Sequence, residues 1–276
     1  MRTVFVITDH SPEADHAATF ALMIAQAVHA DLLIADTVKA KRITIGEPVL
    51  AGAGAESAEE PYLSPSESLR QRIDPDAAYL PEISELDISD LPLDDLIALI
   101  IRRDIWLMVE GMPDTLSKAS SGIRLNIQSV LNRVRCPLML IPKSWGLKRP
   151  ERIVYLADLR YCRQFVLKFL GLLAAPFDAG ISVAHLSAKG LTDIADSYAE
   201  EIFRKDIHPH AHYEKIMLSN TRERDLHLAV DVLINGLHND LMVLVNHRYH
   251  FEELIGRRIG DVLPADITIP ILIFPL

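Results

Sequence analysis

The feature of this sequence that most limits its fold is an internal repeat, because a chain that repeats a pattern in order builds the same unit twice. VFVITD, from Val4 to Asp9, is an apolar run closed by an acid, and IVYLAD, from Ile153 to Asp158, is the same device 149 positions later. A helix-like stretch follows each, then DLLIADTV from Asp31 and GISVAHLS from Gly180, again 149 apart. Late in each copy DIWLMV from Asp104 is echoed by DLMVLV from Asp240, and CPLMLIP from Cys136 by IPILIFP from Ile269.

Within each copy short apolar runs alternate with helical patterns, which points to βαβ units around a parallel sheet. The runs are continuous rather than alternating, as in strands covered on both faces. Strands are expected at 4–9, 31–38, 83–88, 105–109 and 137–141, then at 152–157, 181–186, 212–217, 241–245 and 269–273. Helices are expected at 12–28, 92–103, 122–133, 162–173, 190–204, 222–236 and 253–263. Ser11 as N-cap and Pro12 at the first helical position mark the start of the first. The fold class is therefore α/β: two tandem Rossmann-like domains, residues 1–146 and 147–276, each a five-stranded parallel sheet flanked by helices. Residues 46–82, rich in Gly, Ala, Ser, Pro and Glu, read as a mobile insertion with a short helix around Ser66 to Arg72, placed to fold over the first cleft as a lid.

Composition narrows the partners. A formal net charge of −10 argues against a surface devoted to nucleic acid or anionic membrane, since both need excess Lys and Arg. The N-terminus lacks the long apolar stretch of a signal peptide, and no apolar run is long enough to span a bilayer. Cys136 and Cys162 have neither metal-like nor redox-like spacing, so a cytoplasmic location with reduced thiols is expected. No GxSxG elbow or P-loop lysine motif occurs, and a non-enzymatic role is expected.

The repeated segments resemble the universal stress protein family in its double-domain form. The carriers are VFVITDHSPEADHAATFALMIAQAVHADLLIADTV, DIWLMVEG and RCPLMLIP in the first copy, with ERIVYLADLR and the stretch from Asp240 to Pro275 in the second. The resemblance implies an adenine nucleotide alpha hydrolase-like fold and, in many members, ATP or AMP held by an acid after the first strand and a G-x2-G-x9-G-S/T loop after the fourth. Glycines there let backbone amides approach phosphates. Asp9 and Asp158 match the acid, but the loop has diverged. The first two glycine positions fall at Val109 and Met112, with Gly111 displaced, and in the second copy at Val245 and Arg248. The third falls at Arg124 and Arg257, beside Leu125 and Arg258. The standard nucleotide site is thus expected to be degenerate in both copies, more so in the second.

Each candidate residue carries two readings. Asp9 and Asp158 could contact a ligand or simply accept hydrogen bonds from the following loop. Ser120, Ser121 and Gly122 could hold an anion or cap a helix. Arg124, Arg257 and Arg258 could grip a phosphate or carboxylate, or fill the cleft by pairing with Asp9 or Asp158. His208, His210 and His212, read as alternate residues of a strand, would share a face able to ligate Zn²⁺, the bland alternative being a solvated strand entry. The reading as a whole is a non-enzymatic stress-response protein that binds a small ligand or a protein partner. The alternative is an ATP-binding protein with slow ATPase activity in the first half. The resemblance further implies homodimer formation through the last strand, an exposed sheet edge, although in a tandem chain the two last strands can satisfy each other.

Overall fold

The computed structural model describes residues 2–38, 64–115, 126–221, 223 and 225–276. Strands and helices alternate along the chain. The chain opens with β1 (Arg2–Thr8), whose VFVIT portion is buried, and turns into α1 (Pro12–Val28). Ser11 caps that helix, its Oγ accepting the Ala14 N–H at 3.2 Å, and His29 ends it in the left-handed region with φ 55°. Next come β2 (Ala30–Asp36), α2 (Pro65–Gln71), β3 (Ile83–Asp87), α3 (Leu93–Arg102), β4 (Leu107–Met112), α4 (Ile127–Leu131) and β5 (Leu138–Pro142). The second half follows with β6 (Arg152–Ala157), α5 (Gln164–Ala174), β7 (Gly180–His185), α6 (Asp196–Ile202), α7 (His208–Ala211) and β8 (Ile216–Asn220). It ends with α8 (Leu226–Asp231), β9 (Leu241–Val245), α9 (Tyr249–Leu254) and β10 (Ile271–Phe274).

The described strands form one mixed sheet rather than two separate ones. Their order is β3-β2-β1-β4-β5-β10-β9-β6-β7-β8, with helices flanking the sheet. Pairing is parallel within each half, and the halves join through an antiparallel β5–β10 contact that sets Leu140 opposite Ile271 and Leu138 opposite Ile273. Each half thus contributes five parallel strands, as expected, but to a single shared sheet and not to two separate ones. The two last strands are apolar and would otherwise be open edges, and pairing them removes both edges at once. Buried side chains of both halves belong to one continuous core, from Phe5 and Phe20 to Tyr155 and Phe274. Across the join Trp106, just before β4, stacks on Phe169 of α5 at 4.3 Å, and Phe169 meets Phe274 edge-on at 5.2 Å.

The register fixes which residues correspond. Val4 pairs with Leu107 and Ile153 with Leu241, so Leu107 and Leu241 are equivalent, and Gly111 matches Val245. That corrects the glycine alignment, which had set Val245 against Val109. The reason for a glycine at 111 is then physical. A Cβ there would lie 2.1 Å from the Glu13 carbonyl oxygen and 2.9 Å from the Ala14 nitrogen, so its absence lets the first turn of α1 rest on β4. With Val245 in that place, the second half inserts a 3-10 turn (Leu159–Tyr161) and starts α5 three residues later than the repeat predicts.

Several local expectations change. The HPHAH run is not a strand: a π-helical turn (Phe203–Ile207) leads into the short helix α7, and His212 ends it with φ 49°. Helix α7 lies against Gly171 of α5, where a Cβ would meet the Ala211 carbonyl oxygen at 2.4 Å. The helix expected at 253–263 is α9, which starts earlier and stops before Gly256 at φ 93°. The expected 222–236 helix is α8 followed by a second π turn (Val232–Gly236). Within the supposed insertion, α2 is a capped helix, with Ser64 and Glu67 forming a reciprocal capping box. The rest of that segment up to Leu63 lies outside the described residues.

Candidate functional site

In each half the order 3-2-1-4-5 puts a topological switch between the first and fourth strands, where the chain leaves the first strand to either side. Asp9 and Asp158 close β1 and β6 at these two points, as the repeat requires. In α/β sheets the crevice outside such carboxyl ends is where ligands gather.

The second crevice is filled by the chain itself. Asp158 is 4% exposed and accepts four contacts. Its Oδ1 takes the Arg160 backbone N–H at 3.1 Å and the Arg160 Nε at 2.8 Å, while Oδ2 takes Arg160 Nη2 at 2.5 Å and the Ala188 N–H at 3.0 Å. Burial alone would raise the carboxyl, but the Arg160 guanidinium and the two amides outweigh it and hold the group below its ordinary range. Arg160 is itself anchored by Nη1 on the Thr192 carbonyl at 3.1 Å. Beside the pair lie two buried histidines. His185 Nδ1 accepts the Leu159 N–H at 3.3 Å, so its proton sits on Nε2, and His250 Nε2 donates to the Leu186 carbonyl at 3.0 Å. Burial pushes both imidazoles below the ordinary histidine range. The cavity left among Asp158, Tyr161, Arg248, Tyr249 and His250 measures about 30 Å³. That is room for a water molecule, against the ~300 Å³ or more of a small-molecule site. Arg248 faces this cavity and its buried Nε has no partner among the described residues.

The arginine that pairs with Asp158 is thus Arg160, and the reading that Arg257 or Arg258 would do so is corrected: both are exposed. The reason is reach. Arg160 lies two residues past the acid on a tight 3-10 turn, which folds its side chain back onto the carboxylate. The D-x-R spacing in ADLR was the available signal for it, as IVYLAD was for Asp158.

The first crevice is built differently. Asp9 accepts the Ser11 N–H at 3.0 Å, and His10 meets Asp36 at 2.7 Å across the ends of β1 and β2. Ser120, Ser121, Gly122 and Arg124 lie outside the described residues. Next to β4 a cavity of about 250 Å³ is lined by Glu110, Met112 and Gln128 from the first half and by Arg258 and Asp261 from the second. The second-half loop is held over it, since the Ile259 N–H donates to Gln128 Oε1 at 3.2 Å. Gln128 also donates to Asn246 at 3.1 Å, and Asn246 to Asn132 at 2.8 Å, a chain of amides crossing from one half to the other. Arg258 therefore reaches the first half's strand ends, while Arg257 does not line this cavity.

The three histidines of HPHAH do not form a ligand set. His210 hydrogen-bonds Gln164 at 2.9 Å and His208 packs edge-on near Phe203, and no group of three metal-capable side chains occurs among the described residues. On a helical turn, residues two apart diverge instead of sharing a face. Burial pushes the thiols of Cys136 and Cys162 up to about 12, away from reactivity, and both are free. No described helix is long and apolar enough to cross a membrane.

No family model matches the sequence, and no curated protein matches it. Among solved structures, a universal stress protein from Archaeoglobus fulgidus DSM 4304 is similar with a TM-score of 0.57 at 10% identity, over 99% of this chain and 98% of that one. The cytoplasmic domain of a prokaryotic cation chloride cotransporter is similar with a TM-score of 0.53 at 10% identity, over 99% and 94%. A functionally unknown protein from Pseudomonas aeruginosa PAO1 gives 0.50 at 12% identity, over 100% and 92%. At such identities the shared property is the fold: this chain has an α/β fold resembling that of universal stress proteins, spread over its whole length.

Proposed function

We propose that the chain is a non-enzymatic binding module of the universal-stress-protein type, acting in the cytoplasm. Its two units span residues 1–146 and 147–276, and a small ligand enters only the first. The observation that carries this is the closure of the second crevice by its own Asp158–Arg160 pair, which leaves about 30 Å³. The first crevice has Asp9 at the end of β1 and a neighbouring cavity of about 250 Å³ that Arg258 lines from the other half. A guanidinium facing a strand-end crevice suits a phosphate or carboxylate better than bare amides without glycines do. The nucleotide loop is degenerate in this reading, and Ser120, Ser121, Gly122 and Arg124 remain candidate ligand contacts by sequence alone.

Calorimetric titration with ATP, ADP and AMP tests this. At most one nucleotide should bind per chain, weakened by Asp9→Asn and by Arg258→Gln and unaffected by Asp158→Asn. Two equivalent sites, or one that Asp158→Asn abolishes, would sink the reading. A fully empty chain would favour a second reading, a module that works through its surface with a protein partner.

A further inference from the structure

The opposite end of the sheet carries a larger opening that neither crevice accounts for. Helix α1 runs back against β1, so its last turns lie at the end of the sheet away from Asp9 and Asp158. There a groove of about 660 Å³ lies between the two halves, within the ~300–1,000 Å³ range of small-molecule sites. Leu22, Met23 and Ala27 of α1 form an apolar floor. The lining is completed by the 72–78 turn with Asp74 and Asp76, by Arg149 of the linker, and by Pro176 and Phe177 of the second half.

The acidic wall is fixed in place. Gln26 Nε2 donates to the Asp74 carbonyl at 3.0 Å, and the Asp76 N–H donates to Asp74 Oδ1 at 3.0 Å. Arg72, also on this wall, is already committed to Asp15 at 2.9 Å and Thr19 at 2.6 Å. By contrast the side chains of Asp76 and Arg149 make no hydrogen bond or ion pair among the described residues. The groove thus presents one uncommitted carboxylate and one uncommitted guanidinium, from segments far apart in the chain, together with apolar surface.

We propose that this groove binds a short zwitterionic peptide of two or three apolar residues, its ammonium on Asp76, its carboxylate on Arg149 and its side chains over Leu22, Met23 and Phe177. A short peptide carries its two charges at opposite ends with side chains between them, and each added residue extends the reach by roughly 3.3–3.6 Å. A nucleotide offers no cation to Asp76, and its phosphates are opposed by Asp74 and Asp76.

Trileucine, N-acetyl-trileucine and trileucine amide are the probes, titrated calorimetrically into the full chain. Trileucine should bind once per chain, and blocking either end should weaken it by about fivefold, the worth of one exposed ion pair. Asp76→Asn should weaken trileucine but leave the acetylated peptide unchanged, and Arg149→Gln should weaken trileucine but leave the amide unchanged. Both substitutions are at exposed positions, so a matched melting temperature confirms that the fold is intact. Absence of saturable binding to the wild-type chain, or end-blocking effects that persist undiminished in the matching variant, overturns the proposal.

Discussion

At the residue scale the molecule's chemistry is concentrated around Asp158. A carboxylate this buried is tolerated only because a guanidinium and two amides occupy it, and the same contacts take up the space a ligand would need. Its neighbours His185 and His250 give the region a pH dependence whose sign follows from burial. Their folded pKa values lie below the unfolded value near 6.5, so the unfolded chain takes up protons that the folded one refuses. The stability they permit is complete above about pH 7 and falls as pH drops below the unfolded pKa. His227, raised by its hydrogen bond to Asp266, works the other way, but it is largely exposed and its effect is screened. Denaturant titration at pH 7 and pH 5 should show a loss of about 1–3 kcal/mol in the wild-type chain, reduced in His185→Gln and in His250→Gln. Equal stability at both pH values would contradict this. Asp158 was legible from the sequence as the twin of Asp9, whereas His185 was not, since no local pattern tells a buried imidazole from an exposed one.

At the scale of elements, the decisive contact is between α1 and β4. Ser11, Pro12 and the acids of the first turn announce the start of α1, and the helix begins there. Its depth against the sheet depends on Gly111, a hundred residues away in the chain. Gly111→Ala should therefore cost about 2–4 kcal/mol, as an overpacked backbone contact with no flexible side chain able to yield. Urea denaturation measures it, and a loss below about 0.5 kcal/mol would show that α1 can withdraw freely. Gly111 stood out in the sequence for a phosphate-binding role, and its packing role became visible only from the register. The HPHAH run fails in a related way. Alternation suggests a strand, but a π turn and the packing of α7 on Gly171 make it helical, a tertiary override of local pattern.

At the scale of the whole molecule, the two halves share one sheet and one core through β5 and β10. The linker is fastened as well: Asp240, 4% exposed, accepts the N–H groups of Glu151 and Arg152 at 2.9 and 3.0 Å and pairs with Lys148 at 2.5 Å. The intact chain should unfold in a single calorimetric transition. Residues 1–146 and 147–276 produced separately should each expose a last-strand edge and associate, with each other or with themselves. Two well-separated transitions in the intact chain, or two halves that stay monomeric at micromolar concentration, would contradict a shared core.

The sequence by itself determined the duplication, the α/β alternation and the acids at Asp9 and Asp158, because these depend on local periodicity and on the order of elements along the chain. Only the tertiary structure decided that the two sheets are one, that Arg160 occupies the second crevice, and that Arg258 reaches the first. Each of these is a meeting of segments far apart in the chain or a folding-back of a side chain, set by the packing of apolar strand edges and the need to neutralise a buried charge.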